Sequence, residues 1–178
     1  MQFRHHTPND SQAIVSLFKS VFAKAEGEAE GALISRLAED LLNNTKERDR
    51  YCFVALKNGP IVGAIFFSRL RFEQDMEAFI LAPVAVHNDY QGQGIGQGLI
   101  NHGLSELNKK GVSVVLTYGD PAFYGKVGFC SISPDTVIPP VVLSQPQGWL
   151  GQTLNGDAIE TLSGQCTCVD ALQDPAYW

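Results

Sequence analysis

The stretch Leu81 to Gly98, Leu-Ala-Pro-Val-Ala-Val-His-Asn-Asp-Tyr-Gln-Gly-Gln-Gly-Ile-Gly-Gln-Gly, constrains the fold more than any other part of the chain. Strand-type residues give way to a polar turn, then to glycines at 92, 94, 96 and 98, then to Leu99, Ile100, Leu104 and Leu107 at amphipathic helical spacing. The pattern is strand, loop, helix. A helix N-terminus presents unpaired N–H groups and the positive end of the helix dipole, and glycines let a phosphate come close to them. The loop is therefore expected to hold a phosphate. The dipole supplies only about 0.3–1 kcal/mol, so several N–H bonds must act together. No lysine lies within the loop.

Three phosphate loops are distinguishable by spacing. A nucleoside-triphosphate loop needs Lys-Ser/Thr after its last glycine, whereas Gly96 and Gly98 are followed by Gln97 and Leu99. The dinucleotide fingerprint Gly-x-Gly-x-x-Gly/Ala meets Gln97 when counted from Gly92 and Leu99 when counted from Gly94. Both fail, which disfavours a nucleotide-binding oxidoreductase. Gln/Arg-x-x-Gly-x-Gly/Ala is satisfied by Gln91, Gly94 and Gly96, with Val84-Ala85-Val86 as the strand in front. In this the chain resembles the GNAT superfamily of acyl-CoA-dependent N-acetyltransferases. A second stretch, Gly119-Asp-Pro-Ala-Phe-Tyr-Gly-Lys-Val-Gly-Phe129, looks like the helix that carries that family's acid tyrosine. The resemblance covers about residues 51 to 132.

It implies an α/β fold of GNAT type: a mixed central sheet with splayed central parallel strands, flanked by helices. It also implies acetyl-CoA as co-substrate, held by the backbone of Val84, Ala85 and Val86 and by Gln91, Gly92, Gln93, Gly94, Ile95 and Gly96. Tyr124 takes the role of the acid that protonates the departing thiolate. Pro83 is the chain's own support for the splay, because a proline inside a central strand implies a bulge or a locally unpaired edge. Transfer to an amine also needs a proton acceptor, since a free ammonium is almost wholly protonated at neutral pH. Glu30 is named first; Glu28, Glu77, His87 and water compete for the role.

At 178 residues a single domain spanning 1–178 with a full core is the expectation. The net charge of −6 argues against a nucleic-acid surface. No apolar run approaches the roughly 20 residues that span a bilayer, and a cytoplasmic protein is expected. Cys166 and Cys168 form a Cys-x-Cys pair with no second pair to complete a zinc site, so free thiols and no metal are expected.

Along the chain the pattern predicts a strand at 3–6, helices with Ile14, Leu17, Phe18, Val21 and Phe22 and with Leu33, Leu37, Leu41 and Leu42 on their buried faces, and a hairpin about Asn58-Gly59-Pro60. Glu26, Glu28 and Glu30 fall in or beside the connection between those helices. Strand 78–86, helix 96–110 and strand 112–118 form a parallel crossover unit. After Ile132 four prolines punctuate the chain; 149–154 alternates like a strand, and 169–178 reads as a last strand or a docked extension. The expected activity is direct acetyl transfer in a ternary complex to a primary amine on a small molecule, peptide N-terminus or lysine. A non-catalytic acyl-CoA sensor is the alternative, and a homodimer stays open.

Overall fold

The computed structural model describes residues 1–159 and 164–178. In chain order its elements are β1 (Gln2–His5), α1 (Ser11–Glu26), α2 (Glu28–Asn43), β2 (Arg50–Leu56), β3 (Ile61–Leu70), β4 (Ala78–Val86), α3 (Ile95–Lys109), β5 (Val114–Tyr118), α4 (Pro121–Tyr124), β6 (Cys130–Ser131), β7 (Val137–Ile138), β8 (Trp149–Thr153) and β9 (Gly164–Gln165). Among the described residues these form a mixed seven-stranded sheet in the order β1-β2-β3-β4-β5-β8-β6 and a separate parallel pair, β7-β9. Two compact units result, Met1–Phe67 with Pro83–Gly103, and Ser68–Ala82 with Leu104–Trp178.

The first unit begins at a capping box. The Asp10 carboxylate accepts the Thr7 N–H at 2.6 Å and pairs with the Arg4 guanidinium at 2.7 Å, opening the turn that leads into α1. Ile14, Leu17, Phe18 and Val21 of α1 and Ile34, Leu37, Leu41 and Leu42 of α2 are buried, and Phe18 lies tilted against Phe66 of β3, ring centroids 5.8 Å apart. Leu33 is only half-buried: α2 starts at Glu28, which turns Ile34 inward instead. The expected connection between these helices shrinks to one residue, Gly27 at φ 104°, ψ 165°. Glu26 closes α1, and Glu28 and Glu30 stand in the first turn of α2. Close packing follows from Gly31, where a Cβ would lie 2.6 Å from both the Lys19 carbonyl oxygen and the Ala23 Cβ.

Between β2 and β3, Asn58 takes the left-handed conformation at φ 55° and Lys57 N–H donates to Pro60 O at 3.1 Å, the tight turn read from the sequence. β1 pairs antiparallel with β2 from Gln2↔Leu56 to His5↔Phe53. His102 of α3 sits edge-on to Phe53 at 5.5 Å. Gly98 and Gly103 are packing glycines: a Cβ at 98 would lie 2.9 Å from Phe3, and one at 103 would lie 2.6 Å from Phe67. Of the four alternate glycines, 98 thus faces a neighbouring ring rather than a ligand.

The second unit contains the parallel ladder of β4 with β5, running from Ala78↔Val114 to Leu81↔Thr117. It ends two residues before Pro83, while β4 itself continues unbroken to Val86. The proline therefore marks the end of the parallel pairing, with no interruption of the strand. β5 pairs antiparallel with β8, and β8 with β6. Trp149 of β8 is fully buried and donates its indole N–H to Val137 O at 2.9 Å. The chain end is a docked extension: Trp178 donates its indole N–H to Leu172 O at 2.7 Å, stacks on Tyr118 and lies tilted against Trp149. Cys52, Cys166 and Cys168 are buried free thiols, and Cys130 is an exposed one. No helix among the described residues is long and apolar enough to cross a membrane.

Candidate active site

In the first unit, the strand end Val84–Val86 and the loop 91–96 are tied together by one side chain. Gln91 Nε2 donates to Val86 O at 2.9 Å and to Asn88 Oδ1 at 3.3 Å, committing both amide hydrogens to the loop itself. A short turn at Asn88–Tyr90 precedes it, and Gly92 (φ 72°) and Gly94 (φ 76°) bend the chain into α3 through backbone that L side chains resist. At neither glycine does any atom lie within 4 Å of the position a Cβ would take. The first bond into α3 runs from Gly98 N–H to Gly94 O at 2.9 Å, so the N–H groups of Ile95, Gly96 and Gln97 precede the helical ladder. Ile95 and Gly96 are buried, which anchors the helix start.

The loop also receives a residue that its own sequence does not contain. Lys57, at the end of β2, places Nζ 3.1 Å from Gln93 Oε1 and 4.7 Å from the centre of the Tyr90 ring. Gln93 Nε2 is held in turn by Asp89 O at 3.2 Å. This contact joins residues 36 apart and depends on the hairpin's geometry, so nothing near the glycines signals it.

Of the candidate bases, Glu30 is half-buried, and its carboxyl is raised above its ordinary value by burial, with the Glu26 charge adding to it. Glu28 shares that turn and is exposed. His87 accepts the Asp89 N–H on Nδ1 at 3.3 Å, so Nδ1 already has a donor partner, and its ring is tilted on Tyr90. Glu77, in the second unit, is held by Arg69 at 2.6 Å.

Tyr124 ends α4, whose first turn is capped by Asp120: its Oδ1 accepts the Ala122 N–H at 2.8 Å, with Pro121 at the first helical position. Its ring lies against Gly119, where a Cβ would approach Cε2 to 2.6 Å, and stands edge-on to Phe123 and Phe129. Burial pushes the phenol up to about 12, and the Asp120 charge adds to this. A donor at Thr117 would work against the shift. The Thr117 hydroxyl, however, gives its one proton to Leu81 O at 2.8 Å, so toward Tyr124 it can only accept, which also favours the protonated phenol. Thr117 is the one polar side chain in Val114–Thr117 and is fully buried, a lone hydroxyl in an apolar strand that its sequence context does signal.

Val84–Val86 and the loop thus come together in one unit, and Tyr124, Thr117 and Asp120 in the other. Among the described residues, no group of three His, Cys, Asp or Glu side chains has the arrangement to hold a metal ion.

The bent glycines and the helix-start N–H groups outside the ladder give the loop 91–97 backbone donors of the kind that bind an anion. The family description "Acetyltransferase (GNAT) domain" matches residues 48–131. The N-acetyltransferase YjhQ of Escherichia coli K12 is 31% identical over 174 residues, covering 94% of this chain and 93% of the relative. The N-acetyltransferase YhbS of the same strain is 33% identical over 133 residues, covering 72% of this chain and 73% of the relative. The crystal structure of the GNAT family N-acetyltransferase YhbS from E. coli in complex with CoA superposes with a TM-score of 0.83 at 25% identity, covering 96% of this chain and 90% of that one. A GNAT family acetyltransferase from Brucella melitensis, solved in complex with acetyl-CoA, shares the fold at a TM-score of 0.73 and 22% identity, over 96% of each chain. The chain belongs to the GNAT acetyltransferase family and is an acyltransferase.

Proposed function

We propose that this protein transfers the acetyl group of acetyl-CoA directly to a primary amine, the acceptor being a small molecule, a peptide N-terminus or a lysine, in a complex that holds both substrates at once. The observation that carries the reading is the course of β4: it leaves its parallel partner after Leu81 and runs on to a loop whose first helical N–H groups are not used by the helix. Backbone groups beyond Leu81 that lack a ladder partner suit the amide-bearing pantetheine arm, as an added strand would. Successive residues face opposite edges of a strand, and His87 N–H donates to Val62 O, so Ala85 faces β3 and Val84 the open edge, where Val86 O is already taken by Gln91. Gly92, Gln93, Gly94, Ile95 and Gly96 offer N–H groups to the pyrophosphate, and Gln91 acts as the brace that holds them in place. That YhbS was solved with CoA and the Brucella acetyltransferase with acetyl-CoA supports this choice of donor.

Acyl transfer needs the leaving thiolate protonated and the incoming ammonium deprotonated. Tyr124 is the acid in this reading: the phenol stays protonated through the physiological range and its ring is fixed on three sides. Glu30 accepts the amine's proton, directly or through water. Its raised carboxyl makes it a better match to a proton acceptor near neutrality than an ordinary carboxylate. The Arg69 pair and the Asp89 bond to Nδ1 argue against Glu77 and His87.

A thermal shift with acetyl-CoA, CoA, NADH and ATP side by side tests the donor. A ligand at 100 times its Kd adds about 2.7 kcal/mol, or roughly 5–11 °C for a domain of this size. A shift with the CoA compounds alone is expected, followed by thiol release with a panel of amines. A shift with NADH and none with acetyl-CoA overturns the reading.

A further inference from the structure

Among the described residues, Lys57 sets its ammonium against the loop at 90–93 with no carboxylate within ion-pair reach. Its ammonium meets an amide oxygen, Gln93 Oε1 at 3.1 Å, and the face of the Tyr90 ring, centroid at 4.7 Å. Neither carries a formal charge. The carboxylate nearest in sequence to those partners, Asp89, is exposed and lies 3.9 Å from His87 Nδ1. In a chain with 19 acidic and 13 basic side chains, a half-buried lysine held by neutral groups stands out against the bulk charge. An ammonium has three donors; Gln93 takes one, so two remain. Gln93 is a loop residue whose other end is fixed by Asp89 O, so Lys57 is steered to the loop rather than left free to sweep through solvent.

We propose that Lys57 is a ligand for a phosphate group of coenzyme A, supplied to the loop from the β2–β3 hairpin. It adds a full positive charge to a site that otherwise offers only backbone N–H dipoles. The inference rests on the donor reading above. Gln93 and Tyr90 hold the lysine in place before CoA arrives, which cuts the side-chain ordering that binding must otherwise supply. CoA offers two phosphate sources, its pyrophosphate and its 3′-phosphate, and one comparison separates them.

The experiment is calorimetric titration of CoA and of 3′-dephospho-CoA into wild-type protein and into Lys57→Gln and Lys57→Arg variants, at low and high salt. Lys57→Gln should bind CoA about tenfold more weakly, the scale of one charge-assisted hydrogen bond, and lose less affinity as salt rises. Lys57→Arg should recover most of the loss. If the deficit disappears with 3′-dephospho-CoA, the lysine meets the 3′-phosphate; if it persists equally, it meets the pyrophosphate. If Lys57→Gln binds both ligands within about twofold of wild type, the proposal is overturned while the donor site stands. If wild-type protein binds neither ligand, the donor reading itself falls. The unliganded melting temperatures of both variants, expected at the wild-type value, guard against a folding defect.

Discussion

Replacing Tyr124 by Phe removes one oxygen and keeps the ring. Its packing does not involve the hydroxyl: the centroids of Phe123 and Phe129 lie 5.0 and 5.7 Å away, and Gly119 leaves room for the ring edge. Losing the polar contact with Thr117 costs about 1 kcal/mol, which lowers the melting temperature by about 2–4 °C. A positioned general acid is worth about 10²–10⁴-fold, so kcat should fall at least about a hundredfold with acetyl-CoA affinity within about threefold of wild type. The pH dependence sharpens the test. Because burial pushes the phenol up to about 12, the acid form persists as pH rises, and the ratio of wild-type to Tyr124→Phe kcat should stay flat from about pH 6 to pH 10. A phenol at its ordinary value would be half ionised at the top of that range, halving the advantage of the hydroxyl. Stopped assays reading CoA release at saturating acetyl-CoA give both numbers. A variant with kcat within about threefold of wild type refutes the assignment of Tyr124 as acid, and a ratio that falls by half or more between about pH 8 and 10 refutes the raised phenol.

Gly94→Ala forces an L side chain into φ 76° and should cost about 1 kcal/mol, read as a melting temperature about 2–4 °C lower, while Gly94→Asn should lose less because Asn tolerates that region. The Asp10 carboxyl is held far below the usual carboxylate range, chiefly by its bond to Arg4, which outweighs the opposing effect of burial, with Thr7 assisting. Its contribution is therefore present above about pH 4 and is lost as pH falls. Asp10→Asn should be about 1–3 kcal/mol less stable than wild type at pH 7 in urea titrations, with the gap narrowing steadily below pH 4.

Local chemistry made most of the fold legible. Thr7, Asp10, Asp120 and Pro121 cap helices through neighbours two or three residues away, and Asn58-Gly59 turns a hairpin by its own backbone preference. β4 and β5 are apolar along nearly their whole length, as buried parallel strands must be, and their pairing follows. What eluded the sequence depends on distant partners. Gly98 and Gly103 read as loop or helix glycines until Phe3 and Phe67 are seen against them. Pro83 implies a bulge or a locally unpaired edge, and the parallel ladder does stop two residues before it while the strand runs on to Val86. In the site, the glycine spacing locates the loop, but Lys57 reaches it from a hairpin 36 residues away, and no local pattern predicts that. Glu26, Glu28 and Glu30 do flank the helix connection, but only Gly27 lies within it, because an acidic first turn is what a helix N-terminus favours.

Gly27 joins α1 to α2 alone, accepting the Gly31 N–H and donating to Ala23 O, each at 3.0 Å. With φ 104° and no atom within 4 Å of a Cβ site, its identity is dictated by handedness and not by space. A mirror-image residue meets that demand better than glycine does. A semisynthetic enzyme carrying D-alanine at position 27 should gain about 0.4–1 kcal/mol, entirely by narrowing the choices of the unfolded chain, while L-alanine at the same atom count should lose stability. The helical hairpin that carries Glu30 thus hangs on stereochemistry at a single α-carbon, and chirality, rather than side-chain size, is the variable with which to tune it.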